Sequence, residues 1–401
     1  MTERYSTVAI VLHWVIAIAI GSMMFLGENM KMADGTPIEW MYQLHKSIGI
    51  TILVLTIARV LWRLMNPPPA PSDGLKAHEK ALSHGVHIGF YALLILLPLT
   101  GWLLVSLSPF AIATVLFGAI SWPHLPVLPG LALETREAWY PTAVNAHFIL
   151  SRAMIVLWAL HVIGAIKHEF GSEEGVLKRM IPGLFGKTAA PRAPSRGAIS
   201  AFGASALFFG LVAGAPIAAQ ALNGSAAAPE ATIANQNWTV DTDDSFIRFE
   251  GTYNGAPFSG SFDKWSAAIA YDPANPEAVE ASVSVETGSA NTGEQLYDST
   301  ISQTEWFDVG QFPSATVTVS GAEIGQDGSF TSNATLSIKG VDVPVAIDYT
   351  LSEDGDAVIM AGTATLLRTA LNLGLSTDPQ GTTVGNEVAV SIRVRAIPQE
   401  S

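Results

Sequence analysis

The chain has no cysteine. That absence removes disulfides, iron–sulfur clusters, zinc thiolate sites and haem attachment through C-x-x-C-H. It does not decide a compartment, since a cysteine-free chain suits either side of a membrane. Histidine is missing from the second part of the chain, all nine lying at or before His168. Long apolar runs are missing there too, being confined to the first 222 residues. Basic residues are scarce over 235–401, 6 against 23 acidic for a net of −17, whereas residues 1–234 carry 15 against 12 for a net of +3. Two unlike modules in tandem account for these asymmetries better than one mixed fold. Nucleic acid is not among the expected partners.

A membrane span needs about 20 mainly apolar residues. Five stretches qualify: Val8–Gly27, Leu44–Met65, Ile88–Leu107, Ala143–Ile166 and Ala198–Leu222. The shorter run "PFAIATVLFGAISWP" (109–123) reads as an interfacial or re-entrant piece. Lys and Arg in short loops set the orientation. Arg63, Lys76 and Lys80 lie between spans two and three, with Arg59 just inside the helix end. Lys167, Lys178, Arg179, Lys187, Arg192 and Arg196 follow span four, against Lys31, Lys46 and Arg136 in the opposite loops. This bias predicts a bacterial inner-membrane protein with a cytoplasmic N-terminus and a periplasmic C-terminal module. The fifth span has two readings, an uncut anchor or a signal peptide cleaved at Ala219-Gln220-Ala221. Either way the C-terminal module is exported.

Four histidines fall inside spans. His13 lies near the start of the first, His45 at the start of the second, and His147 and His161 near the two ends of the fourth. Fourteen residues at 1.5 Å rise separate His147 and His161 by about 21 Å, within roughly 40° of one face. Opposed helix directions then match His45 with His147 at one depth and His13 with His161 at the other. Two bis-histidine b-type haems stacked across a membrane require such an arrangement, each iron taking two axial nitrogens from facing helices. Gly49 and Gly164 fall near the histidine faces, where a missing side chain leaves room for a porphyrin. Interhelical hydrogen bonding and a zinc site are the competing readings. The zinc reading lacks carboxylates or thiolates beside the pairs. Lys46 and Arg152 are candidates for propionate contacts at the outer haem. His84, His87, Lys167 and His168 are candidates for an interfacial quinone site or a proton path. His78 and His124 read as loop residues.

In order, "YSTVAIVLHWVIAIAI", "LHKSIG", "HIGFYALLILLPLTGWL", "NAHFIL", "LHVIGAIKHEF" and "GVLKRMIPG" resemble the bacterial cytochrome b561 family over residues 5–185. The resemblance implies a four-helix, two-haem b cytochrome of the inner membrane with axial ligands at His13, His45, His147 and His161. It also implies electron exchange with ubiquinone and, in some members, oxidation of periplasmic superoxide. Glu169 stands where the family often has a second consecutive histidine.

From Trp238 onward the pattern alternates with period two, the signal of half-buried strands. Val279, Ala281, Val283 and Val285 face one way, as do Ala315, Val317 and Val319; Val341, Val343, Val345, Ile347 and Tyr349; and Val388, Val390, Ile392 and Val394. The pattern predicts an antiparallel sandwich or closed barrel. No nucleophile constellation accompanies it. "SFIRFEGTYNG", "FSGSFDKWSAAIAYDPANPEAVEASVSVET", "YDSTISQTEWFDVGQFPSATVTV", "LSIKGVDVPVAIDY" and "VGNEVAVSIRVRA" together resemble the YceI-like family. That resemblance implies a lipocalin-like barrel holding an isoprenoid chain, a lipid or a quinone tail. A side-chain-filled core is the other reading.

The expected organisation is therefore a multi-domain chain. An all-α transmembrane four-helix bundle (1–190) carries two haem b. A linker with a fifth hydrophobic span (191–235) leads to an all-β antiparallel lipocalin-like barrel (236–401). The expected function is an electron-transfer protein working with the bilayer, ubiquinone and an isoprenoid lipid. The alternatives are a membrane-anchored isoprenoid carrier and an anchor subunit of a dehydrogenase or hydrogenase.

Overall fold

The computed structural model describes residues 5–31, 38–69, 77–109, 112–171, 177–181, 197–223 and 229–399. Two compact units result.

The first unit is helical. Helices α1 (Thr7–Asn29), α2 (Glu39–Met65), α3 (Ala77–Leu107) and α4 (Leu133–Gly171) pack in sequence, α1 on α2, α2 on α3 and α3 on α4. Ser6 caps α1, its hydroxyl accepting from the Ala9 N–H at 3.3 Å. All four are long and apolar enough to cross a membrane. Their shared core is a layer of Ile16, Ile20, Ile52, Leu93, Leu94 and Met154. Large apolar side chains such as Ile18, Phe25, Ile149 and Ile163 point away from that core. In water this pattern would be costly, whereas in lipid it is the rule.

Strands β1 (Thr114–Leu116) and β2 (Ile120–Trp122) form a hairpin where the apolar run 109–123 announced only an interfacial or re-entrant piece. Phe117 and Gly118, both at positive φ, make its turn. Side chains of α2 satisfy its backbone: the Gln43 carbonyl oxygen accepts from Val115 N–H at 3.1 Å, and Ser47 Oγ from Phe117 N–H at 2.9 Å. The fifth apolar stretch is a helix, α5 (Ala198–Asn223). Its described side chains cover an apolar run of Ser200–Gly214, shorter than a span. Ala201 packs on Leu12 and Trp62, and Phe209 on Trp122. Lys76, Lys187, Arg192 and Arg196, four of the loop charges that set the expected orientation, lie outside the described residues.

The second unit is a closed antiparallel barrel of eight strands: β3 (Trp238–Tyr253), β5 (Trp265–Ala270), β6 (Glu280–Glu286), β8 (Ser314–Ser320), β10 (Phe330–Ile338), β11 (Val341–Asp354), β12 (Ala357–Leu367) and β13 (Glu387–Pro398). β4 (Ala256–Phe262) pairs with β3, and the short β7 (Ala290–Asn291) and β9 (Glu323–Ile324) pair with β4 and β10. Helix α6 (Gln295–Ile301) precedes β8. Pairing of β13 with β3 closes the ring, with a register shift between Arg393 and Arg395.

Candidate functional site

In the helical unit the four span histidines meet as two pairs. The His13 and His161 ring centroids are 6.2 Å apart with planes at 67°, and those of His45 and His147 are 6.2 Å apart at 71°. Two imidazole nitrogens each about 2 Å from one metal put ring centroids roughly 6 Å apart. Both pairs therefore have the spacing of two axial ligands, with the apolar layer of α1–α4 nearby.

The surroundings of the rings bear on the same question. Thr100 Oγ gives its hydrogen to the Leu97 carbonyl at 3.0 Å, so it accepts from His147 Nδ1–H at 3.1 Å. That contact fixes the tautomer and leaves Nε2 for a metal. His45 Nδ1 is buried with no partner. A Cβ on Gly101 would come within 3.2 Å of His147 Cε1, so glycine there is what lets the ring sit where it does. Of the two glycines singled out by sequence, Gly49 faces Met23 and Gly164 faces open space. Neither crowds a histidine. The donor chemistry, the spacing and the orphaned nitrogen all fit haem. His45 and His147 would hold one group and His13 and His161 another, and haem would supply a one-electron centre at each.

His13 differs from His147 in its neighbour. Both terminal nitrogens of Arg59 stand 3.3 Å from His13 Nδ1, and Arg59 Nε donates to the Tyr91 hydroxyl at 3.4 Å. His87 also comes closer than its sequence position suggested. Its ring lies 5.6 Å from His161, and its Nδ1 is 2.6 Å from the Ser83 carbonyl. His84 is exposed, and Lys167 pairs with Glu79 at 2.9 Å. Glu169, next to the half-buried His168, accepts from Leu177 N–H at 2.7 Å.

Near the other pair, Arg152 forms an ion pair with Glu28 at 2.6 Å and lies over the Phe148 ring. Lys46 acts electrostatically on His124, a loop residue that sequence reading left without a role. Burial, then the charges of Lys46 and Arg136, hold His124 down to about 4, so it is neutral at pH 7. Arg136 is buried, donates to the Ser108 carbonyl at 3.2 Å and keeps a buried Nε without a partner.

The barrel encloses a cavity of about 310 Å³. Its wall is built by the inward residues of the alternating strands, among them Val283, Val317, Ile347, Tyr349, Val390 and Ile392. Polar groups are few: the Ser332 hydroxyl shares a 3.3 Å hydrogen bond with Tyr349, and Arg368 sits at the margin. Arg368 is 1% exposed. It donates to the carbonyls of Val384, Leu373 and Asp378 and pairs with the Asp378 carboxylate at 2.9 Å. Glu305 accepts from the Ser376 and Thr377 N–H groups and their hydroxyls. Together they pin residues 368–386, the long connection from β12 to β13. Sequence reading missed this network, since nothing periodic marks it and its partners lie 5 to 72 positions apart.

Comparison with known proteins agrees with both halves. Residues 4–183 match the model of prokaryotic cytochrome b561, and residues 238–396 that of the YceI-like domain. The chain is 31% identical over 185 residues to cytochrome b561 homolog 2 of Escherichia coli K12, covering 45% of this chain and 92% of that one. It is 28% identical over 182 residues to the probable superoxide oxidase CybB of Yersinia pestis, covering 45% and 98%. Among solved structures, BcnA of Burkholderia cenocepacia is 24% identical with a TM-score of 0.38, covering 39% of this chain and 98% of that one. The chain belongs to the prokaryotic cytochrome b561 family, and a YceI-like domain follows its helical part.

Proposed function

We propose that the protein is an inner-membrane electron-transfer cytochrome carrying two haem b, one on His13 and His161 and one on His45 and His147, and exchanging electrons with ubiquinone. The observation that carries this reading is the equal 6.2 Å spacing of the two histidine pairs. Membership of the family implies haem b. The number of haems rests on the two pairs. The barrel serves as a container for an isoprenoid lipid or quinone, which the apolar cavity supports. Joining the two modules in one chain raises the local concentration of such a ligand. The cytoplasmic N-terminus and the periplasmic barrel follow from the Lys and Arg bias of the loops, and α5 serves as an uncut anchor.

Superoxide is the narrower version of the outer electron donor. Lys46 and the buried Arg136 supply positive charge beside His124, and one relative is named a probable superoxide oxidase. The net charge of −17 on residues 235–401 opposes approach of an anion. A lipid carrier with a membrane anchor is the second reading, favoured by the cavity alone.

The test uses purified, oxidised full-length protein. Adding a ubiquinol should reduce its b-type spectrum, and organic extraction should yield a prenyl lipid. A bound lipid without a quinol-reducible spectrum would establish the carrier reading instead.

A further inference from the structure

The barrel cavity is apolar almost throughout, and two exceptions stand at opposite ends. Arg368 is the one charged residue of its wall among the described residues. Its Nε donates to the Val384 carbonyl at 3.0 Å and its Nη1 to the Leu373 carbonyl at 2.8 Å. Its Nη2 donates to the Val384 carbonyl at 2.8 Å, and the Asp378 carboxylate at 2.9 Å neutralises its charge. No free cation is then left for a phosphate or carboxylate inside the cavity, and an unpaired charge buried there is costly. The second exception is the hydroxyl pair of Ser332 on β10 and Tyr349 on β11. Ser332 precedes Ile338 by six residues, about 20 Å along the strand. Ile338 packs with Leu371 and Leu373 of the connection that Arg368 pins. The hydroxyl pair therefore marks the end away from Arg368.

When one of these hydroxyls donates to the other at 3.3 Å, the acceptor keeps its own hydrogen. Neither has a further hydrogen bond among the described residues. Phe330, stacked on the Tyr349 ring at 5.3 Å, holds that ring in place. A buried hydroxyl hydrogen without an acceptor is a cost that a ligand oxygen removes. A few placed polar groups in an apolar pocket also fix a ligand's orientation. We infer that Ser332 and Tyr349 select a prenyl ligand whose head is uncharged and accepts a hydrogen bond, such as a ketone or quinone carbonyl, over one with a phosphate or carboxylate head. The head sits beside the hydroxyl pair, and the chain runs toward Leu371 and Leu373. The inference rests on the proposed container role of the barrel and adds the chemistry of the head and its direction.

The test offers purified full-length protein an equal mixture of three probes: geranylgeranylacetone, a neutral ketone; a prenyl hydrocarbon of equal length; and geranylgeranyl phosphate. Retained probe is measured by mass spectrometry after repurification. The amount held by Val283→Asp, which buries a charge in the cavity, is subtracted as micelle background. Wild type should retain about five ketone molecules per hydrocarbon and no phosphate above background. Ser332→Ala/Tyr349→Phe, which replaces both hydroxyls without adding bulk, should hold the two neutral probes equally. Its retained hydrocarbon reports that the cavity is intact. The carbonyl infrared band of the bound ketone should lie below its position in hexane, a reading that needs no variant. Equal retention of ketone and hydrocarbon by wild type, specific retention of the phosphate, an unshifted carbonyl band, or a ketone preference surviving in the double variant would each overturn the inference. Wild type holding none of the three above background would instead defeat the container reading on which it rests.

Discussion

Single residues carry the chemistry, and they differ in how far the sequence discloses them. His13, His45, His147 and His161 were legible because an imidazole in a span is conspicuous and helix geometry converts spacing into depth. Gly101 and Thr100 were not, because their role depends on which side chain of α4 faces them across α3. With 3.2 Å to His147 Cε1, Gly101→Val is expected to displace that ring and cost one of two haems, whereas Gly130→Ala, in open space outside the four helices, should cost none. A haem-to-protein ratio distinguishes the two. Arg368 was equally hidden. Removing it strands the Asp378 carboxylate inside the barrel, and breaking such a buried pair costs about 3–5 kcal/mol. Arg368→Leu should lower the unfolding temperature of the barrel by several degrees.

The same pair gives a pH dependence. Burial pushes the Asp378 carboxyl up, but hydrogen bonds from the Val384 N–H, the Thr382 hydroxyl and the Thr382 and Thr383 N–H groups outweigh it and hold the group below the usual carboxylate range. A depressed carboxylate stabilises the fold above its unfolded value and loses that contribution as pH falls toward its folded one. Wild-type stability should therefore fall on acidification below about pH 4. The Asp378→Asn variant should show a shallower fall in pH-dependent unfolding.

At the scale of elements, α4 is the decisive one, since it supplies a histidine to each pair. One alanine inserted between Met154 and Ile155 turns everything beyond it by about 100°. The insertion should carry one histidine off its pair while leaving the other, seen as half the haem content at unchanged helical circular dichroism. The strands were read more completely than the helices' connections. Alternation placed Val283, Val317, Val345 and Val390 on the inner face, and all four line the cavity. By the same geometry Val283→Lys puts a charge into an apolar space and should abolish co-purifying lipid with haem content intact. The hairpin at 114–122 escaped because its backbone is satisfied by Gln43 and Ser47, distant in sequence on α2.

Taken whole, the molecule separates two solvents along one chain. The first unit turns apolar side chains outward and brings its four span histidines together in pairs, and the second turns apolar side chains inward around a cavity. Composition disclosed that division at once, through the missing histidines and basic residues of the later part. The polar network that pins residues 368–386 and the Arg59 contact lay beyond any periodic signal, because each joins groups by three-dimensional proximity alone. The central claim is that this chain holds two haems, one per histidine pair. Haem quantified against protein in the purified full-length chain tests it most directly, alongside the His13→Ala and His147→Ala variants. The account predicts a ratio of two in wild type and one in each variant, and a wild-type ratio of one or zero would contradict it.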